Sequence, residues 1–374
     1  MEWAREHDLL PLSHFAKMRA ESPLALENDV WNVYRYDRLK EIFADHDHFS
    51  SSAMTEEKAP IEFSILRTDP PKHRQLRTLV TTAFTPRAIE EMIPRIEAVT
   101  HELLDKAAQE GRMDAVREFT GPLPVIIIAE MLGIPAGDRE QFREWSDALV
   151  SNDYERYVNC QQEMSVYFEA IAAERRHNPQ DDLITRLVHA TAGGEPLSSS
   201  IELIGFCILL LVAGNETTTN LLSSALLCFD SDREAWRDVR EERALLPGAI
   251  EEVLRYASPV QVMERRIKED VEVDGQLLKE GQYVLLWIGS ANHDESVFEQ
   301  PSVFNIRRHP NPHVAFGHGI HFCLGAQLAR LEAKIALNAM LDRFPNYRRN
   351  RSCRLERLDS QLVFGVKSLP LILS

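Results

Sequence analysis

Phe316-Gly317-His318-Gly319-Ile320-His321-Phe322-Cys323-Leu324-Gly325 is the stretch from which the rest of the chain is best read. Directly after it, Leu324, Leu328, Leu331, Ile335 and Ala339 recur at three- to four-residue steps, which predicts a helix over 324–344 that Pro345 ends. A glycine-rich turn therefore presents one thiol at a helix N-terminus, where free N–H groups and the helix dipole favour the thiolate. Gly319 and Gly325 can supply unusual backbone angles or close approach to a flat group. A lone buried cysteine is ordinarily a small core hydrophobe. Here Phe316, Gly319, Cys323 and Gly325 stand together in the spacing F-x-x-G-x-x-x-C-x-G, which should arise by accident in only about one such chain in a few thousand.

Outward from this loop, the other cysteines (Cys160, Cys207, Cys228 and Cys353) form no CxxC pair, so neither a zinc knuckle nor an iron–sulfur cluster has a scaffold. An odd, sparse set suits a reducing compartment. Over 374 residues, 58 acidic side chains against 42 basic ones leave a formal charge of −16, which disfavours a general nucleic-acid binder. The N-terminal residues are charged where a signal peptide would be apolar, and the apolar run Leu203 to Gly214 is short of the roughly 20 residues that span a bilayer. A cytoplasmic chain without a membrane anchor is expected.

No repeat or low-complexity linker marks a boundary, so residues 1–374 are expected to form one domain. Helical periodicity covers 87–108, 138–150, 161–176, about 198–229, 233–240, 247–256 and 324–344. Strand signals are fewer: Val30 to Tyr36, a hairpin of Asp270–Val273 and Gln276–Leu278 about Asp274-Gly275, Tyr283 to Ile288, and a closing hairpin of Leu362–Val366 with Leu369–Leu373. The expected class is mainly α, a large helical body with a small β portion.

The cysteine loop resembles that of the cytochrome P450 superfamily, in particular its soluble bacterial members. The resemblance implies the cytochrome P450 fold, a haem b cofactor and Cys323 as the proximal thiolate on its iron, framed by Phe316, Gly319 and Gly325. Other segments match in order. Ala213-Gly214-Asn215-Glu216-Thr217-Thr218 fits the family's distal-helix pattern, which would set Ala213 beside the haem and give Glu216 and Thr217 the delivery of protons to oxygen. Without the family, the same Gly-x-Glu-Thr-Thr reads as a bend in a core helix. Glu252 and Arg255 match the E-x-x-R pair, with Arg308 completing a buried charge network. Asp69-Pro70-Pro71-Lys72-His73-Arg74-Gln75-Leu76-Arg77 resembles the family's D-P-P-x-H-x-x-x-R helix start, so that His73, Arg77, Arg265 and His321 would neutralise the haem propionates. Arg266 is a rival to Arg265.

The reaction implied is monooxygenation, with one oxygen atom of O2 entering a C–H bond or alkene of a lipophilic small molecule. A peroxide-driven peroxygenase would commonly replace the acid–alcohol pair, and a non-catalytic haem sensor or carrier would not need it. GxGxxG is absent, so electrons would come from a separate ferredoxin or flavodoxin. Residues 326–357 carry eight basic against three acidic side chains, among them Arg330, Lys334, Arg343 and Arg349, a patch toward which an acidic donor would be steered. A monomer is expected. By the resemblance Leu210, Ala213, Pro259–Val262, Ser50–Arg67 and Leu362–Phe364 would surround the substrate.

Overall fold

The computed structural model describes residues 9–52, 59–150, 153–192, 195–196 and 200–374; residues 1–8, and residues 53–58 of the expected pocket stretch, lie outside them. At its centre runs one helix, Ser200–Ser231, of 32 residues. It packs against the Pro60–Phe63 turn and against the helices Pro122–Leu132, Arg139–Val150, Tyr154–His177 and Ala326–Arg343. A helix apolar on nearly every side is stable when neighbours surround it in this way. From Ile201 to Ser231 it is also long and apolar enough to cross a membrane, well beyond the 12-residue run read from the sequence, yet most of it is packed inside the fold.

The helix runs unbroken through Gly214-Asn215-Glu216-Thr217-Thr218. Thr217 Oγ1 donates to the Ala213 carbonyl at 2.7 Å, which satisfies its hydroxyl within the preceding turn. Gly214 has a packing reason: a Cβ there would lie 2.8 Å from Ile128 Cδ1 of the Pro122–Leu132 helix.

The β portion flanks this body. A five-stranded sheet runs in the order Leu24–Glu27, Val30–Val33, Tyr283–Leu286, Met263–Ile267 and Phe49–Ser50, with only the second and third strands parallel. With the Tyr36–Ala44 helix it shares a smaller core that includes Trp31, Leu39, Phe43 and Val284. The hairpin Val271–Val273/Gln276–Leu278 forms where expected, with Asp274 at φ 50° and Gly275 at φ 74°, as a tight two-residue turn requires.

Two local expectations are corrected. The 87–108 helix is divided into Pro86–Glu90 and Ile93–Glu110, the second beginning with Pro94 in its first turn. The closing hairpin does not form. Pro370–Ile372 instead pairs with Arg348–Arg349 and Arg112–Asp114, while Val363 and Val366 make isolated bridges to Val260 and Arg357.

Candidate active site

The Cys323 loop closes on itself through the Cys323 N–H, which donates to the Phe316 carbonyl at 2.9 Å. Gly317 (φ 74°) and Gly319 (φ 71°) make the turn, and a Cβ on Gly319 would sit 2.7 Å from the Phe43 carbonyl oxygen, so the loop seats directly against the Tyr36–Ala44 helix. Gly325 has an ordinary φ of −84°, and a Cβ there would meet nothing within 4 Å, so of its two expected uses only close approach of a group is left. It borders a cavity that a side chain would begin to fill. The Ala326–Arg343 helix follows at once.

Cys323 lies on the wall of this cavity, which explains why its side chain is both accessible and ringed by protein atoms. Burial pushes its thiol up, opposed by the Gly325 N–H and by Arg77 and Arg330. Burial thus outweighs the helix end, which by itself does not lower the thiol toward a thiolate as its position suggested. A bound metal cation would, since a coordinating thiol is deprotonated outright.

Behind the loop lies a charge network with every member partnered. Arg255 Nε and Nη2 each donate to the Glu252 carboxylate at 2.8 Å, and Arg308 Nε donates to both its oxygens at 3.2 and 3.1 Å. Asn311 Nδ2 and the Asn305 N–H add further bonds to the same group. The remaining guanidinium donors meet carbonyls, including those of Asn292, Pro301 and Glu299. Adjacent Glu251 ties the two flanks of the loop together, accepting two bonds from Arg330 at 2.7 Å and facing His313 Nε2 at 3.0 Å. Burial would raise its carboxyl, but Arg330 and His313 outweigh that and hold it at about 2. Arg330 in turn stacks 4.4 Å from the Phe316 ring centroid.

On the other side of the cavity His73, Arg77, Arg265 and His321 converge. His73 and Arg77 share one face of the Lys72–Thr81 helix, one turn apart. Strand alternation decides between the two arginines: Arg265 is 4% exposed and lines the cavity, whereas Arg266 points to the opposite face of Met263–Ile267. The His73 and His321 rings are 4.3 Å apart, and neither His73 nitrogen has a hydrogen-bond partner although the residue is only 2% exposed. Arg77 Nη2 donates to the Phe322 carbonyl, and Arg265 Nη1 to that of Glu264. Among the described residues none of the four is paired with a carboxylate. Burial, followed by neighbouring cations, lowers His73 to about 4 and His321 to about 2; Arg265 falls to about 10 for the same reasons. Four nitrogen-rich side chains with no carboxylate hydrogen-bonded to any of them, Asp69 and Glu264 acting only at longer range, are what a flat cofactor bearing carboxylates would satisfy. Cys323, the open space beside Gly325 and these basic side chains together fit haem.

The cavity encloses about 1350 Å³ of space, its open mouth included. Ala213 and Thr217 of the central helix face it. Glu216 does not: successive helical residues lie about 100° apart, and its carboxylate is buried on another face, 3.5 Å from Asn220 Nδ2. The remaining wall is apolar, with Ile65, Leu66, Leu210, Pro259 and Val260 as expected and Phe84, Ile128, Phe206 and Met263 in addition. Leu362–Phe364 is not brought in, since Leu362 is exposed and Phe364 is buried elsewhere. Glu332 of the Ala326–Arg343 helix also borders the cavity. Sequence reading counted it as a surface acid, yet its i+4 spacing from Leu328 puts it on a buried face.

The expected donor patch is not continuous. Arg330 is tied to Glu251, Arg343 pairs with Asp105 at 2.6 Å, and Arg349 is buried; Lys334 is exposed.

The family model described as "Cytochrome P450" matches residues 25–123 and 127–372. Cytochrome P450 109 of Bacillus spizizenii is 43% identical over 376 residues, covering 97% of this chain and 91% of that protein. The cytochrome P450 monooxygenase PikC of Streptomyces venezuelae is 37% identical, covering 96% and 90%. The crystal structure of CYP109E1 from Bacillus megaterium in complex with testosterone superposes with a TM-score of 0.94 at 41% identity, over 98% of this chain and 99% of that one.

Proposed function

We propose, from the premise that this chain belongs to the cytochrome P450 family and is a haem-dependent monooxygenase, that it oxidises a neutral or weakly polar lipophilic small molecule at a C–H bond or alkene. The single observation that carries this reading is the apolar cavity bounded by Cys323 of the glycine-rich loop on one side and by Ala213 and Thr217 of the central helix on another. Haem ligated by thiolate supplies O2 activation with a bias to O–O cleavage. The overall change is one substrate, O2, two protons and two electrons to oxygenated product and water, the electrons coming from a separate ferredoxin or flavodoxin.

Each residue has a stated part. Cys323 is the iron ligand; His73, Arg77, Arg265 and His321 hold the haem carboxylates, and Phe316, Gly319 and Gly325 shape the cradle. Ala213 keeps the central helix low enough for a substrate to lie close. Thr217 Oγ1, whose own proton goes to the Ala213 carbonyl, presents lone pairs that hold a proton donor in place over the reacting centre. Glu216, beside Asn220, reaches the cavity only through solvent and feeds protons to that donor. The chain acts as a one-domain, monomeric cytoplasmic enzyme.

Testosterone, bound by CYP109E1, is the first compound to try on this chain, followed by terpenoids and long-chain fatty acids. A saturable ligand-induced shift of the haem absorbance, and a product heavier by one oxygen from 18O2, is the expected result. If polar substrates shift the spectrum and none of these lipophiles does, the substrate class is wrong.

A further inference from the structure

Among the described residues no carboxylate pairs with Arg357. Its Nη2 donates to the Ser360 carbonyl at 3.2 Å, and its Nε is buried with no hydrogen-bond partner. Burial lowers the guanidinium, and no neighbouring charge offsets that. The group lies 5.9 Å from the Phe364 ring centroid, which holds it in place. A half-buried cation with unspent donors is costly until something completes it, and a carboxylate is the group that matches its fork of N–H bonds.

Arg357 borders a second cavity, of about 1080 Å³ with its open mouth included, beside the five-stranded sheet. The aromatic wall of this cavity is already formed. Tyr34 and Trp287 stack at 5.9 Å within 3° of parallel, Phe15 tilts against Trp287 at 5.7 Å, and Trp287 Nε1 donates to Asn32 Oδ1 at 2.9 Å, which fixes the indole. Gln261 lines it too, held by its Nε2 bond to the Ser258 carbonyl at 2.7 Å. The neighbours of Gln261 and Trp287 in sequence, Val260 and Ile288, line the active-site cavity instead, so the two cavities stand back to back across these two segments. The described charged side chain that shares this cavity with Arg357 is Glu27, which is exposed and therefore well screened.

We propose that this cavity is a second small-molecule site, for an aromatic carboxylate whose ring packs against Tyr34, Trp287 and Phe15 and whose carboxylate pairs with Arg357. Both halves of the ligand are needed. An inorganic anion would leave the aromatic wall uncovered, and a neutral ring would leave the guanidinium without its counter-charge. A few fixed polar groups on a largely apolar, pre-formed wall are the usual make-up of a small-molecule site. The proposal does not depend on the monooxygenase reading, since no residue of the haem cavity takes part.

The test is calorimetric titration of the holoenzyme with 2-naphthoate, with the haem absorbance followed in parallel. Saturable binding of one equivalent that leaves the haem spectrum unmoved is expected. The neutral analogue 2-naphthamide should bind about tenfold or more weakly, because it lacks the charge-assisted pair. Arg357→Gln should weaken 2-naphthoate by about the same factor and Trp287→Leu several-fold, each with an unchanged haem spectrum, whereas Glu27→Gln should leave binding as it is or tighten it slightly. If Arg357→Gln fails to fold, the acid–amide comparison on wild type, together with Trp287→Leu, decides. No heat of binding up to millimolar 2-naphthoate overturns the proposal. So does equal affinity for acid and amide, binding indifferent to Arg357→Gln in a folded protein, or a haem shift that tracks every equivalent bound, which would put the probe in the active-site cavity.

Discussion

Two clusters of basic side chains flank the cysteine loop, and they differ in one respect. Around Glu252, the guanidiniums of Arg255 and Arg308 find a carboxylate and a full set of carbonyls. Around His73 and His321 the two arginines meet backbone carbonyls, His321 meets the Ser51 hydroxyl, and His73 finds no partner. A satisfied buried network holds a fold in register; an unsatisfied one is a site for a ligand that brings the missing charge. The first cluster lies behind the loop; the second puts Arg77, Arg265 and His321 on the cavity wall, with His73 behind them, and is the proposed place for the haem carboxylates.

Glu252→Gln is the harshest way to break that contrast. Removing the one anion between two buried guanidiniums should cost on the order of 3–5 kcal/mol in urea unfolding. Arg265→Met should do the opposite to the haem-free protein, leaving its stability unchanged or slightly higher, while haem affinity falls by about tenfold or more. Equal destabilisation by both variants would erase the distinction between the clusters.

A pH series sharpens it. His73 and His321 are held neutral in the fold, with His73 lowered to about 4, whereas in the unfolded chain they protonate near 6.5. The haem-free protein should therefore lose stability as pH falls from about 6.5 to 4. Haem carboxylates would give the protonated rings partners, so the holoenzyme should lose less over the same range. Identical profiles with and without haem would place the carboxylates elsewhere.

Thr217→Ala acts on chemistry and not on either cluster. It should leave haem and substrate binding intact and divert electrons to hydrogen peroxide, with a large loss of product per electron. The smallest effect is expected at the surface. Lys334→Glu should slow first-electron transfer from a ferredoxin a few-fold at low salt and have little effect at high salt, where exposed charges are screened. Arg349, being buried, should instead show its loss in thermal stability.

Legibility in the sequence followed the range of the interactions. The hairpin at Asp274-Gly275 was readable because a two-residue turn with positive φ is a local demand. The C-terminal strand was not, because Pro370–Ile372 takes partners more than 20 residues before it and near residue 112. Motif order pointed to Cys323 and Thr217, which both lie on the cavity wall, and it bracketed Glu216 with Thr217, although neighbours on a helix face different ways. The apolar stripe Leu324, Leu328, Leu331, Ile335 was only half right. The buried face also runs through Glu332 and Ala336, and a carboxyl at such a position is the signal that was passed over.

The central claim, that Cys323 is the thiolate ligand of a haem held in this cavity, is tested most directly by the absorbance of the reduced carbon-monoxide complex. Wild type should show the strongly red-shifted Soret band of a thiolate-ligated haem, and Cys323→His should retain haem through the His73–Arg265 side while losing that band. A Cys323→His protein that kept the red-shifted band would contradict the assignment of the ligand and, with it, the reading of the loop.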